Sequence, residues 1–175
     1  MLGKWNNWYK NVRNMSSFRY GNTITYRLAA EFLKDLSVED WGCGAAGFKK
    51  YHTGGYFGLD GSDNPFVGQI VDLRKHRSFT DGLLMRHVLE HNYDWKDVLE
   101  NAVASFQKRF CLILFTPFAD QTKEIAHNRK HGVDAPDISF KKEDIEQFFK
   151  GLKWRMEEHK TETHYGVEYI YYVEK

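Results

Sequence analysis

Residues 110–115 read FCLILF, six apolar side chains in a row. No other segment constrains the fold as tightly. A strand with one face in water alternates apolar and polar residues, whereas an unbroken run of this length marks a strand buried on both faces. Both faces of a strand are covered when helices lie on either side of a mostly parallel sheet. The rest of the chain reads as such an alternation. Strands are expected over 37–41, 55–59, 66–73 and 81–85. Helices are expected over 23–36, with Ile24, Leu28, Phe32 and Leu36 on one stripe and Asn22 or Thr23 as cap, over 48–51, and over 95–108. Ser139 is placed to cap a helix over 141–152, and strands 153–161 and 167–173 close the chain as a hairpin around ETHYG. The expectation is an α/β fold, a doubly wound, mostly parallel sheet with helices on both faces and an antiparallel hairpin strand at the C-terminal end.

The 175 residues suit a single domain, 1–175. Two stretches fall outside the alternation. Residues 1–22 are aromatic and polar, and read as an arm or lid; residues 119–137 read as a polar, irregular insertion on the substrate side. Lys+Arg total 25 against 24 Asp+Glu, a net charge of +1, which argues against a sequence-blind nucleic-acid binder. Cys43 and Cys111 are too few for a disulfide framework and read as reduced thiols of a cytoplasmic protein. No apolar stretch is long enough for a membrane span, and the first residues lack the apolar centre of a signal peptide.

In an open α/β sheet, ligands bind beyond the carboxyl ends of the strands, where the loops carry the chemistry. The first strand runs into Asp40-Trp41-Gly42-Cys43-Gly44-Ala45-Ala46-Gly47, whose glycines permit a tight turn and close approach of a ligand to the backbone. The second strand ends at Asp60, eighteen positions after Gly42, where a carboxylate can accept from both hydroxyls of a ribose. A structural turn beside a solvated aspartate is the plainer alternative. Strand context on both sides favours a nucleoside-containing cofactor. The glycine spacing is a poor match to a dinucleotide cradle, and no P-loop Lys-Ser/Thr follows it, so a nicotinamide oxidoreductase is a weaker option.

VEDWGCGAAG, YFGLDGS, GQIVDLRK, DGLLMRHVLEHNYDW and FCLILFTP occur in that order. Together they resemble, over about residues 23–175, the successive motifs of the class I S-adenosylmethionine-dependent methyltransferases. The resemblance implies a seven-stranded, three-layer αβα sheet, with S-adenosylmethionine as cofactor and S-adenosylhomocysteine as product. Carried over residue by residue, it implies that Asp40 orients the methionine amino end through the first turn and that Gly42, Cys43 and Gly44 pass close under the cofactor. It implies that Asp60 holds the ribose diol with Gly61 beside the adenine, and that Asp72 accepts from the adenine amino group near the Leu73 backbone. Arg86 and His87 are expected near the methionine and the transferred methyl. Ala46 departs from the pattern, standing where the third motif glycine usually falls.

A sulfonium methyl is already activated, so the protein must align an acceptor and, for a hydroxyl, remove its proton. Histidine suits that near neutrality. His87 and His91 are therefore the catalytic candidates, with packing or capping as the plainer role of each. Some quinone O-methyltransferases hold a divalent metal with two glutamates and the histidine of E-V-L-E-H. Here His87 replaces the first glutamate, which weakens a Mg²⁺ site, although His87, Glu90 and His91 are a possible transition-metal set. His127 and His131 are spaced for one face of a helix, within what is otherwise a solvated insertion. The Asn/Asp-Pro-Pro-aromatic motif of amino-directed base methyltransferases is replaced by Arg86-His87-Val88-Leu89, and Cys111 lies inside a strand, unlike a C5-cytosine nucleophile. The expected activity is methyl transfer to a small molecule, through oxygen. Trp5, Trp8 and Tyr9 are expected to meet the substrate, and Lys123, Arg129 and Lys130 to attract any anionic group on it. The alternative is a non-catalytic protein that keeps the cofactor fold, an option raised by Trp41 and Ala46.

Overall fold

The apolar run belongs to β5 (Phe106–Leu114), and its side chains do divide between two cores. Phe110, Leu112 and Leu114 enter one cluster, while Cys111 and Ile113 enter the other. The structure, a computed structural model, describes residues 2–9, 24–129 and 132–175. β1 (Val38–Trp41), β2 (Tyr56–Asp60), β3 (Gln69–Ile70), β4 (Thr80–Arg86), β5, β8 (Lys153–Lys160) and β9 (Val167–Glu174) form one seven-stranded sheet in the order β3-β2-β1-β4-β5-β9-β8. The first five strands are parallel; β9 runs antiparallel to β5, and β8 antiparallel to β9. The strand order reverses between β1 and β4, so the crevice for a ligand opens where those two carboxyl ends diverge.

After a short N-terminal helix, α1 (Asn6–Tyr9), α2 (Ile24–Phe32) packs on one face against the cluster of Ala29, Leu33, Val38, Leu84, Ile113 and Ile170. On the other, α3 (Trp95–Ser105) and α4 (Lys142–Glu146) cover Leu83, Met85, Leu112, Phe149 and Tyr171. The helical period of α2 is as expected, but its phase is turned by one residue. Ile24 is exposed and Thr25, Ala29 and Leu33 are the most deeply buried, the Thr25 hydroxyl donating to the buried Glu168 on β9; Leu28 and Phe32 of the expected stripe pack against the same cluster, and Leu36 is buried in it.

Several expected elements are shorter or different. The helix expected over 48–51 is a 3₁₀ turn, Gly47–Lys50; β2–β3 and β3–β4, where no helix is expected, are joined without one. Fourteen residues separate Trp41 from Tyr56, enough for a parallel crossover. The expected strand 66–73 pairs only at Gln69–Ile70. The helix expected over 95–108 ends at Ser105, and its last residues already belong to β5.

The insertion is not irregular. β6 (Lys123–Asn128) and β7 (Ala135–Ser139) form a separate antiparallel pair, with a register shift between Glu124 and Ala126. His127 therefore sits on a strand and cannot pair across a helix face; Lys130 and His131 lie outside the described residues. Ser139 is the last residue of β7 rather than a helix cap. Its hydroxyl donates to the Pro117 carbonyl, and α4 begins after Lys141 without a side-chain cap. The expected caps Asn22 and Thr23 also lie outside the described residues. Among the described residues no helix is long and apolar enough to cross a membrane.

Candidate active site

The turn after β1 takes its shape from left-handed backbone at alternate residues. Gly42, Gly44 and Ala46 have φ of 77°, 51° and 53°. Ala46 keeps the path a glycine would take and bears a left-handed strain of about 1 kcal/mol. The Gly42 and Cys43 amides both donate to the Leu59 carbonyl, at 2.7 and 3.0 Å, and pin the loop to β2. A methyl on Gly42 would stand 2.3 Å from Val88 Cγ2, and one on Gly44 would stand 2.7 Å from the Tyr9 hydroxyl. The loop is thus packed between the turn after β4 and the N-terminal segment.

Asp60 closes β2 and ties the next loop to the first. Its Oδ2 accepts from the Gly44 amide at 2.9 Å and its Oδ1 from the Ser62 amide at 2.8 Å. Burial raises its pKa, against the pull of those amides. Asp40 lies within β1, buried, where its Oδ2 accepts from the Tyr56 hydroxyl at 2.9 Å. Burial lifts it to about 7. Asp72 is clasped by Arg74, which donates through Nε at 2.9 Å and Nη2 at 2.6 Å and holds that carboxyl well below the usual range. Arg74 reaches Asp94 as well.

β4 ends at Arg86, and His87 follows it. His87 has φ 57°, an uncommon conformation for a histidine, and its ring is buried with Nε2 at 2.6 Å from Glu168 Oε1. Burial, aided by the Arg86 charge, lowers its pKa to about 3, so the imidazole is neutral. Arg86 contacts the same carboxylate oxygen at 2.8 Å and lies 4.3 Å from the Tyr26 ring centre. Glu168 is fully buried. Burial alone would raise its pKa, but His87, Arg86 and Thr25 together draw it below the ordinary value. Glu90 is turned the other way, accepting from the Phe115 amide at 2.6 Å, and burial raises its pKa to about 7. His91 Nδ1 donates to the Pro136 carbonyl at 2.9 Å. His87, Glu90 and His91 thus have separate protein partners. Among the described residues no group of three such side chains is placed to hold a metal ion.

The N-terminal segment lies over this crevice. The Gly3 amide donates to the Gly61 carbonyl, the Trp5 amide to the Ser62 hydroxyl, and Lys4 Nζ to the His91 carbonyl. A cavity of about 520 Å³ results, within the range of small-molecule sites. Gly42, Cys43, Gly44, Asp60, Gly61, Asp72, Leu73, Arg86, His87, His91, Trp5, Trp8 and Tyr9 all line it. Asp40 is not on its wall. Of the basic residues expected to draw an anion, Arg129 lines the cavity and Lys123 does not. Sequence reasoning missed Tyr26, Arg74, Asp137, His164 and Glu168. One signal existed for Glu168, a lone carboxylate in the apolar strand VEYIYYV; nothing local distinguished the others.

No protein-family model and no curated protein matches the sequence. Solved structures do match in shape. The Burkholderia thailandensis 1,6-didemethyltoxoflavin-N1-methyltransferase, with its substrate and S-adenosylhomocysteine bound, is 14% identical with a TM-score of 0.64, covering 95% of this chain and 83% of that one. The magnesium protoporphyrin IX methyltransferase of Synechocystis PCC 6803, with S-adenosylhomocysteine bound, is 16% identical with a TM-score of 0.58, covering 92% and 82%. The mitomycin 7-O-methyltransferase is 12% identical with a TM-score of 0.56, covering 86% of this chain and 53% of that one. With its 3-2-1-4-5 parallel strands and antiparallel closing pair, the chain has the class I S-adenosylmethionine-dependent methyltransferase fold.

Proposed function

We propose that this protein is an S-adenosylmethionine-dependent methyltransferase acting on a small molecule through an oxygen nucleophile. One observation carries the reading. The glycine turn, Asp60, Asp72 and the end of β4, dispersed in sequence, line a single cavity together with an aromatic N-terminal segment. The residues present fit the cofactor. Asp60 offers a carboxylate at the end of β2 for a ribose diol, beside backbone held close by left-handed Gly42 and Gly44. Val71, Leu73 and Val98 offer apolar wall for the adenine, and Asp72 an acceptor at its edge. When bound, S-adenosylmethionine supplies an activated methyl. The chain's part is to bind, orient and exclude water, and to take the acceptor's proton.

The acceptor reading rests on the absence of the amino-directed motif after β4 and on the small size of the cavity. The similar structures named above have different acceptors, which leaves their likeness silent on the atom methylated. A non-catalytic role drew on Trp41, yet that side chain is fully buried in the core, away from the cavity wall. Isothermal titration with S-adenosylmethionine tests the proposal. Binding is expected, with Asp60→Ala weakening it at least tenfold. No heat of binding at millimolar cofactor overturns it, and binding of NAD instead would favour an oxidoreductase.

A further inference from the structure

Two histidines reach the cavity from the segment after β4, and their surroundings differ. His87 is sealed in, its Nε2 committed to Glu168. His91 is held from the far side by the β6–β7 hairpin, through Nδ1. That atom lies 2.9 Å from the Pro136 carbonyl and 3.3 Å from Asp137 Oδ1. A carbonyl oxygen only accepts, so Nδ1 carries the proton and the neutral ring keeps its lone pair on Nε2. The Asp137 carboxylate is itself fixed, since its Oδ2 accepts from the Tyr165 hydroxyl at 2.8 Å, on the β8–β9 turn. Burial would raise the Asp137 pKa, but His91 and Tyr165 draw it down, and it stays ionised. Trp5 and Phe115 flank the ring, with centroids at 5.0 and 5.5 Å. The other ionisable groups facing this cluster are Lys4, whose Nζ donates to the His91 carbonyl, with His87, Glu90 and His164 beyond.

We infer that Asp137, fixed by Tyr165, is a positioning residue that acts with the Pro136 carbonyl to hold His91 as the Nδ1–H tautomer, so that its Nε2 is the base for the acceptor. This rests on the methyltransferase reading above. In the step, the acceptor's O–H proton passes to His91 Nε2 as its oxygen bonds to the methyl carbon. The S–C bond breaks with its electron pair left on sulfur, turning the sulfonium into a thioether. The new imidazolium donates from Nδ1 to Pro136 and faces the Asp137 charge, the arrangement by which a carboxylate orients and supports a catalytic histidine. The hairpin therefore belongs to the catalytic apparatus as well as to the substrate side.

The test reads the imidazole directly, in the protein without cofactor. Long-range ¹H–¹⁵N correlation spectra at pH 8 are expected to show His91 as the Nδ1–H tautomer; the Nε2–H tautomer overturns the inference. Diethylpyrocarbonate, a small acylating probe of an available imidazole lone pair, is expected to modify His91, as mapped by peptide mass. Asp137→Asn should slow that modification several-fold and Tyr165→Phe by less, both with unchanged circular dichroism. An unreactive His91, or equal rates in the parent and Asp137→Asn, overturns the inference. S-adenosylhomocysteine is then added as a protectant. Protection is expected; reaction at His91 undiminished by millimolar S-adenosylhomocysteine would count against the methyltransferase reading while leaving the His91–Asp137 coupling standing.

Discussion

Glu168→Gln is the sharpest test of how this site is held together. Glu168 is completely buried on β9, and its Oε1 serves Thr25 Oγ1 at 3.1 Å, Arg86 at 2.8 Å and His87 Nε2 at 2.6 Å. Taking one partner from a buried ion pair costs about 3–5 kcal/mol, because the remaining charge is left uncompensated. Glutamine preserves the shape and one acceptor for His87 and Thr25, so the loss belongs at the lower end, about 3 kcal/mol. At this chain length that corresponds to about 6–12 °C in Tm. Urea unfolding followed by tryptophan fluorescence measures it. The pH dependence gives a second check. The folded-state pKa of Glu168 lies below its ordinary value of 4.5, so its contribution is complete above about pH 4.5 and is lost as pH falls through the folded value. The gap between parent and variant should therefore close toward pH 3. A loss below 1 kcal/mol at pH 7, or a gap unchanged at pH 3, refutes the reasoning. The double variant Arg86→Met/Glu168→Gln, with both charges gone and an acceptor kept for His87 and Thr25, should recover part of that loss.

Gly42→Ala places a methyl 2.3 Å from Val88 Cγ2 on a backbone with φ 77°; conformational strain and the collision together should cost about 3 kcal/mol, read by thermal unfolding. Glu90 has a folded pKa raised to about 7 from 4.5, so the fold holds a proton that the unfolded chain releases and the parent loses stability as pH rises between those values. Glu90→Gln should remove that decline, about 3 kcal/mol, seen as a flatter plot of unfolding free energy against pH. Trp5→Ala removes a wall of the cavity and the ring beside His91. S-adenosylhomocysteine should leave this variant several-fold faster in stopped-flow displacement, and an unchanged rate would mean the segment packs without covering the ligand.

Much of the site was legible because its parts are local. The glycine turn, Asp60 at the end of a strand and the acidic position after β3 each sit at a fixed offset from a strand end, and a parallel sheet brings such ends to one edge. The N-terminal aromatics could be marked as outside the sheet, but not where they would dock. Their anchors are Gly61, Ser62 and His91, 57 or more positions away. The one short helix expected between β1 and β2, over 48–51, is a 3₁₀ turn at Gly47–Lys50.

By itself the sequence determined the layers. An apolar run at 110–115 needs cover on both faces, and strand-ending glycine and aspartate motifs need a parallel edge to meet on. It also determined that His87 and His91 share that edge. Only the tertiary structure set their surroundings apart. The difference lies in partners 81 and 45 positions away. Glu168 takes the Nε2 of one ring and the Pro136 carbonyl takes the Nδ1 of the other. A histidine's tautomer and basicity are set by whatever hydrogen-bonds its far nitrogen and by how deeply it is buried. Neither is a property of its neighbours in the chain.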